Sequence, residues 1–118
     1  MSKDRNPLLY LDDILVACRK IEDYLAKAEG KDFTENELVV DGVVRNLEII
    51  GEAAGNIPKS FRKKQPEVEW RKLKEFRNVL AHEYFGVNLE IVKDMVENKL
   101  PEIRDRVEIL LEEMESEG

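Results

Sequence analysis

Histidine and cysteine occur once each in this 118-residue chain, as His82 and Cys18. A lone cysteine cannot close a disulfide within the chain, and together the two residues cannot build a cysteine/histidine zinc site. Cys18 falls on the apolar face of a helical pattern, so a small core residue is expected there. No apolar run approaches the ~18 residues of a membrane span. No alternating apolar/polar stretch reads as a strand. A glycine-rich phosphate loop and an HExxH pair are both absent. The carboxylates are scattered over helix faces, as solubilising charge would be, and no nucleophile triad has a convincing candidate. The N-terminal MSKDRNPLLYLDDILVAC carries acids inside its apolar stretch and has no small-residue cleavage site. No signal peptide, no membrane partner and a cytoplasmic location are therefore expected. Neither a metal nor another cofactor is expected.

What is present is charge and helical periodicity. Charged residues make up 38 % of the chain, with both signs interspersed, and the net charge is −7. Such a chain is globular rather than disordered. The acidity is uneven. From Lys59 to Arg77 there are eight basic residues against three acids, so that segment carries +5 and the remainder −12. A basic strip on an acidic body can steer a polyanion to one place. Within it Lys63, Lys64, Arg71, Lys72 and Lys74 are the expected contacts to such a polyanion. A merely solvated helix face and loop would have the same composition.

Leu11, Ile14, Cys18, Ile21, Leu25 and Ala28 step by three and four residues and line one helix face; Gly30 supplies its stop. A second helix opens at Thr34, with Glu37 at capping-box spacing. It runs through Val39, Val43, Leu47, Ile50, Ala54 and Ile57 to Pro58. The stretch 58–67 reads as a polar, basic loop with a short turn. A third helix begins near Glu67, with Leu73, Phe76, Leu80 and Tyr84 in register, and ends at Gly86. Asn88 caps the fourth, whose row is Leu89, Val92, Val96, Leu100, Ile103, Val107, Leu110 and Met114. Pro101 must kink that helix or open a new one at its first turn. The expected fold is all-α, an antiparallel four-helix bundle with room for a fifth helical segment after Pro101, in one domain spanning 1–118. The small-residue patch GEAAG, 51–55, suits tight helix packing within the bundle or a subunit contact.

The chemistry concentrates in EFRNVLAHEY, 75–84. Asn78 and His82 are four apart and share a helix face. Arg77 and His82 are five apart, about 140° around the axis, so they do not stack directly; a long arginine can reach across, or the helix can loosen near its end. Near a helix C-terminus the dipole favours a protonated imidazole, which can donate a proton near neutral pH. An arginine beside it can hold a phosphate by a charge-assisted fork. Histidine plus arginine suits RNA cleavage by the 2′-hydroxyl, which needs a base, an acid and a cation for the phosphorane charge. One histidine per chain supplies one proton-transfer group, so such a site needs a two-fold dimer. The ordinary reading of the same residues is a cationic helix end beside a solvated arginine, and physics alone leaves both open.

RNVLAHEY resembles the R-x4-H-x-Y signature of HEPN domains, in the form carried by the HepT branch of minimal toxins. NLEIIGEAAGNIP (46–58), Trp70 and LPEIRDRV (100–107) resemble that branch as well, so the likeness covers about residues 8 to 112. Glu75-Phe76 replaces a frequent Gly-Met, and Glu69 a frequent proline; both touch the approach to the helix and not the motif. The resemblance implies a dimeric helical bundle with both motifs in one cleft and metal-independent endoribonuclease activity. It also implies a minimal nucleotidyltransferase antitoxin that transfers AMP from ATP to the motif tyrosine. Arg77 and His82 would be catalytic, Asn78 supporting and Tyr84 modified. HEPN-like domains also serve as non-catalytic accessory or nucleotide-binding subunits beside nucleotidyltransferases. A purely structural helical dimer is a third reading.

Overall fold

The computed structural model describes residues 6–29, 31–82 and 89–117, with residues 81, 82 and 117 described by their backbone alone. Helix α1 spans Pro7–Ala26 and α2 spans Glu37–Asn56. A short α3, Lys59–Lys64, precedes α4, Trp70–His82; α5, Leu89–Asp94, leads through a π-helical stretch, Met95–Lys99, into α6, Leu100–Glu117. No strand forms among the described residues. The expected all-α, antiparallel four-helix bundle is what the chain builds, its long members being α1, α2, α4 and the α5–α6 run. Among the described residues no helix is long and apolar enough to cross a membrane.

The start of α1 follows from its sequence. Asn6 accepts a hydrogen bond from the Leu8 amide at 3.0 Å, and Pro7 takes the first helical position, where its missing N–H is no loss. Leu11, Ile14, Cys18 and Ile21 are fully buried, as their spacing predicts. Burial pushes the Cys18 thiol up to about 12, so it is the inert core residue expected. The helix ends at Ala26, earlier than the expected stop; Glu29 takes the left-handed φ of 53° in the following turn, and Gly30 lies outside the described residues.

The cap of α2 differs from expectation. Asn36, not Thr34, caps it, accepting from the Val39 amide at 3.2 Å. Thr34 is consumed by a 3₁₀ turn, Phe33–Glu35, where Asp32 accepts from both the Thr34 amide at 3.0 Å and its hydroxyl at 2.7 Å. That turn buries Phe33. It also leaves Glu37 as the first residue of the helix, out of capping-box position. Val39, Val43, Leu47, Ile50, Ala54 and Ile57 are all buried. Asn46, buried among them, satisfies itself by donating to the Gly42 carbonyl at 2.8 Å.

Asp32 also receives Lys93 of α5 at 3.0 Å. The Thr34 hydrogen bonds, then that from Lys93, hold its carboxyl down at about 2. Because the folded-state value lies below the ordinary 3.8, Asp32 contributes stability above about pH 4 that is lost as pH falls toward its folded-state value. Asp32→Asn should therefore melt below wild type at pH 6, with the gap closing as both are titrated to pH 2. Thermal melts across that range check this; a gap of constant size would reject the charge as its cause.

The segment after Pro58 forms the six-residue helix α3 where a loop with a short turn was expected, with Arg62, Lys63 and Lys64 in its last turn, where the dipole favours cations. Helix α4 starts at Trp70 rather than near Glu67. Val68 and Trp70 are both buried there, and the Trp70 indole donates to the Gln65 carbonyl at 3.0 Å while its ring meets Phe61 edge-on. The Pro101 interruption is absorbed without a break. The Leu100 amide donates five residues back to the Met95 carbonyl, and the wider π turns carry the chain past the proline into the first turn of α6.

Helix α2 is the centre, packed against α1 on one side and α4 on the other, and α6 lies on α1. Arg104 of α6 sits 3.0 Å from Glu22 of α1. Helices α4 and α6 do not close on each other: they flank a groove of about 760 Å³.

Candidate functional site

The candidate site is built on α4. Its inward face is Trp70, Leu73 and Leu80, all buried. Arg77 lies one turn after Leu73 and half-buried, so its stem runs along α2. The approach is close because of Gly51. A Cβ added there would stand 2.2 Å from the Arg77 Cβ and 2.7 Å from the Leu73 carbonyl oxygen. One turn on, a Cβ on Gly55 would meet the Lys74 side chain at 3.2 Å. The GEAAG patch is thus the α2–α4 crossing, the intrachain alternative.

From this seat the Arg77 guanidinium turns outward. Its Nη1 donates to Asn78 Oδ1 at 3.3 Å, and Asn78 is exposed. The arginine therefore bridges from the α2 side of the helix to the face that Asn78 shares with position 82. The backbone of His82 belongs to α4; its side chain, Tyr84, Gly86 and the cap expected at Asn88 lie outside the described residues.

The expected RNA contacts divide into groups. Lys63 and Lys64 are exposed on α3. Arg71 donates to Glu75 at 3.0 Å, and Lys72 pairs with Glu69 at 2.8 Å. The second pair lowers the Glu69 pKa and raises that of Lys72, through their hydrogen bond and then their charges. Both pairs are solvent-exposed, hence weak and exchangeable for a phosphate. Lys74 is exposed but lays its stem over Gly55.

Two features escape a reading of the sequence. Val79, inside the motif, is 40 % exposed, and Ile109 across the α4–α6 groove is 42 % exposed; Phe76 and Ile103 line the groove between them. Val79 sits off the Leu73–Leu80 row, which is the signal that could have marked it. Arg62 reads as one more cation of the strip, yet its Nε is buried with no hydrogen-bond partner.

Residues 14–110 match the family model described as Ribonuclease HepT-like. A protein of Caldanaerobacter subterraneus subsp. tengcongensis named "Putative RNase" is 36 % identical over 108 residues, covering 92 % of this chain and 96 % of its own. A Thermococcus cleftensis protein named "Probable ribonuclease HepT" is 37 % identical over 101 residues, 86 % of this chain and 92 % of its own. A Methanocaldococcus jannaschii protein named "Gamma-glutamylcyclotransferase and putative RNase" is 34 % identical over 107 residues, 91 % of this chain; the chain spans 48 % of that protein. No solved structure matches. With the family model covering most of the bundle and the first two of these relatives matched nearly end to end, the chain belongs to the ribonuclease HepT-like family.

Proposed function

We propose that this chain is a metal-independent endoribonuclease, the toxin of a pair whose antitoxin is a minimal nucleotidyltransferase. Its site is composed of Arg77 and His82 from each of two chains. The observation that carries this reading is the Arg77–Asn78 hydrogen bond, which links the guanidinium to a residue one helical turn before position 82. In the reaction the 2′-oxygen attacks the adjacent phosphorus as one His82 takes its proton. The two arginines hold the charge of the phosphorane, and the second His82 protonates the departing 5′-oxygen. The products are a 2′,3′-cyclic phosphate and a 5′-hydroxyl. Incubating purified protein with single-stranded RNA in EDTA tests this. Cleavage to those ends, absent in His82→Ala, supports it; an intact RNA leaves the non-catalytic, nucleotide-binding alternative in its place.

The dimer has a candidate surface in the α4–α6 groove. Exposed Val79 and Ile109 are the kind of apolar side chains a second copy would cover, and Val79 stands within the motif itself. A two-fold contact there sets the two α4 helices side by side. Light scattering should find two chains per particle for wild type, and Val79→Glu should yield monomers that no longer cleave. A cleaving monomer would remove the composite site.

Tyr84 is the proposed regulatory acceptor. Of the three tyrosines, Tyr10 is buried and Tyr24 packs its ring against Gly42. In the transfer the Tyr84 oxygen bonds to the α-phosphorus of ATP and pyrophosphate leaves. The added phosphate would occupy Arg77 and repel the RNA backbone. Tyr84→Phe should keep cleavage and escape silencing by the partner. Mass spectrometry after incubation with ATP and the partner decides it, since AMP on Tyr10 or Tyr24 would transfer the role.

A further inference from the structure

A second basic feature lies away from the motif. Between α3 and the start of α4 is a cavity of about 530 Å³, rimmed by Lys59, Arg62, Lys63, Arg71 and Lys72 with Glu69 as its one acid. Its floor is apolar, formed by Pro66, Val68 and the Trp70 ring. The cations are not equivalent. Lys72 is held by Glu69 and Arg71 by Glu75. Lys59, Arg62 and Lys63 have no ion pair among the described residues. Arg62 goes further: its Nε–H is shut off from solvent and bonded to nothing. A buried, unsatisfied donor on a charged group is unfavourable and uncommon in a native fold. An anion entering the cavity would meet the neighbouring lysines and Arg62, and a turn of that side chain toward it would free Nε to donate.

The position of the cavity says which anion. Arg71, on its rim, precedes Asn78 by seven residues and position 82 by eleven. Both intervals return to within about 20° of the same face of α4. The rim and the motif therefore lie along one line on one rigid helix, about 16 Å apart at the ordinary rise per residue. A single strand that stays stacked, at the ~3.4 Å per nucleotide of a duplex strand, with its scissile bond at the motif reaches the cavity after roughly five nucleotides along this line. Arg71 can release the exposed Glu75 to take a phosphate on the way. A cationic rim over an apolar floor is how single strands are held without reading their sequence.

We infer that this cavity is a second RNA subsite, seating a backbone phosphate of the single strand about five nucleotides from the scissile bond, with Arg62 as its anchor and Lys59 and Lys63 beside it. The inference rests on the ribonuclease reading for where the strand begins, but its test does not need cleavage. Fluorescence anisotropy with uncleavable 2′-O-methyl RNA of 4, 8 and 12 nucleotides measures it. Wild type should bind the 8-mer at least tenfold more tightly than the 4-mer, with little further gain at 12. Lys63→Gln, exposed and so safe for folding, should remove a severalfold part of that gain and lower the salt slope of 8-mer binding by about 0.7 for one phosphate contact. Arg62→Gln should remove most of the gain, and Lys59→Gln, another exposed position, repeats the Lys63 result if Arg62→Gln proves unstable on melting. In all three, 4-mer binding should change less than 8-mer binding does. Equal affinity of wild type for the 4-mer and 8-mer would overturn the inference, as would 8-mer binding and salt slope unaltered in Lys63→Gln and Lys59→Gln. So would displacement of an acidic polypeptide, and not of RNA, by these variants. Should cleavage fail altogether while these length and charge effects appear, the subsite stands and the ribonuclease reading falls.

Discussion

His82→Ala will leave RNA cleavage about 10²–10⁴-fold below wild type, the usual cost of removing a positioned acid or base. Arg77→Ala should fall by about 10²–10³-fold, as when one donor to a developing oxyanion is lost. Arg77→Lys should recover only part of that loss, because an ammonium keeps the charge but not the planar fork, nor the guanidinium geometry that meets Asn78 at 3.3 Å. Melting temperatures should stay close to wild type for His82→Ala. A mixing experiment sharpens the test. If each site needs a histidine from both chains, wild-type protein re-equilibrated with His82→Ala loses activity roughly as the square of the wild-type fraction, through mixed dimers. A linear loss would mean that each chain works alone. Full activity in either alanine variant would remove Arg77 and His82 from the mechanism.

The helices were legible because their apolar rows are long and regular. Leu11 to Ile21 and Val39 to Ile57 are buried where periodicity puts them. The ends were harder, because neighbouring residues compete for the same amides. Asp32, Thr34 and Asn36 each carry a capping side chain, and the choice went to Asp32 for the 3₁₀ turn and Asn36 for α2. Burial of Phe33 fits that choice, and burial is not a local property. The π stretch did leave a trace. Val92, Val96 and Leu100 step by fours alone, wider than the 3.6-residue period, just ahead of Pro101. At the site, spacing showed that Arg77 and His82 diverge on a helix, but not the course of the arginine. That course depends on its half-buried stem against α2, a tertiary fact, and on its sequence neighbour Asn78 as acceptor, a local one.

Gly51 links the fold to that geometry, and replacing it should be the most damaging glycine-to-alanine change among the described residues. In Gly51→Ala the new Cβ falls 2.2 Å from the Arg77 Cβ and 2.7 Å from the Leu73 carbonyl oxygen. Neither atom can rotate away, since one is fixed to the α4 backbone and the other is part of it. Alanine gains about 1 kcal/mol over glycine within a helix, whereas overpacking typically costs about 1–3 kcal/mol and occasionally more. With two immovable neighbours the upper end applies, for a net loss of about 2 kcal/mol and a melting temperature several degrees lower. Gly55 gives the internal control. Its Cβ would meet only the Lys74 side chain, at 3.2 and 3.3 Å, and that flexible stem can move aside. Gly55→Ala should be neutral or slightly stabilising. The two variants also separate packing from catalysis. Gly51→Ala pushes α4 outward at Arg77, and a displacement near 1 Å can cost about 10²-fold in rate. Its cleavage should therefore fall well beyond what its unfolded fraction explains, while Gly55→Ala cleaves as wild type. Were the GEAAG patch a subunit contact instead, Gly51→Ala would shift the dimer equilibrium and leave the melting of the monomer unchanged. Thermal melts at several protein concentrations, read beside the cleavage rate at a temperature where both variants are folded, decide between the two.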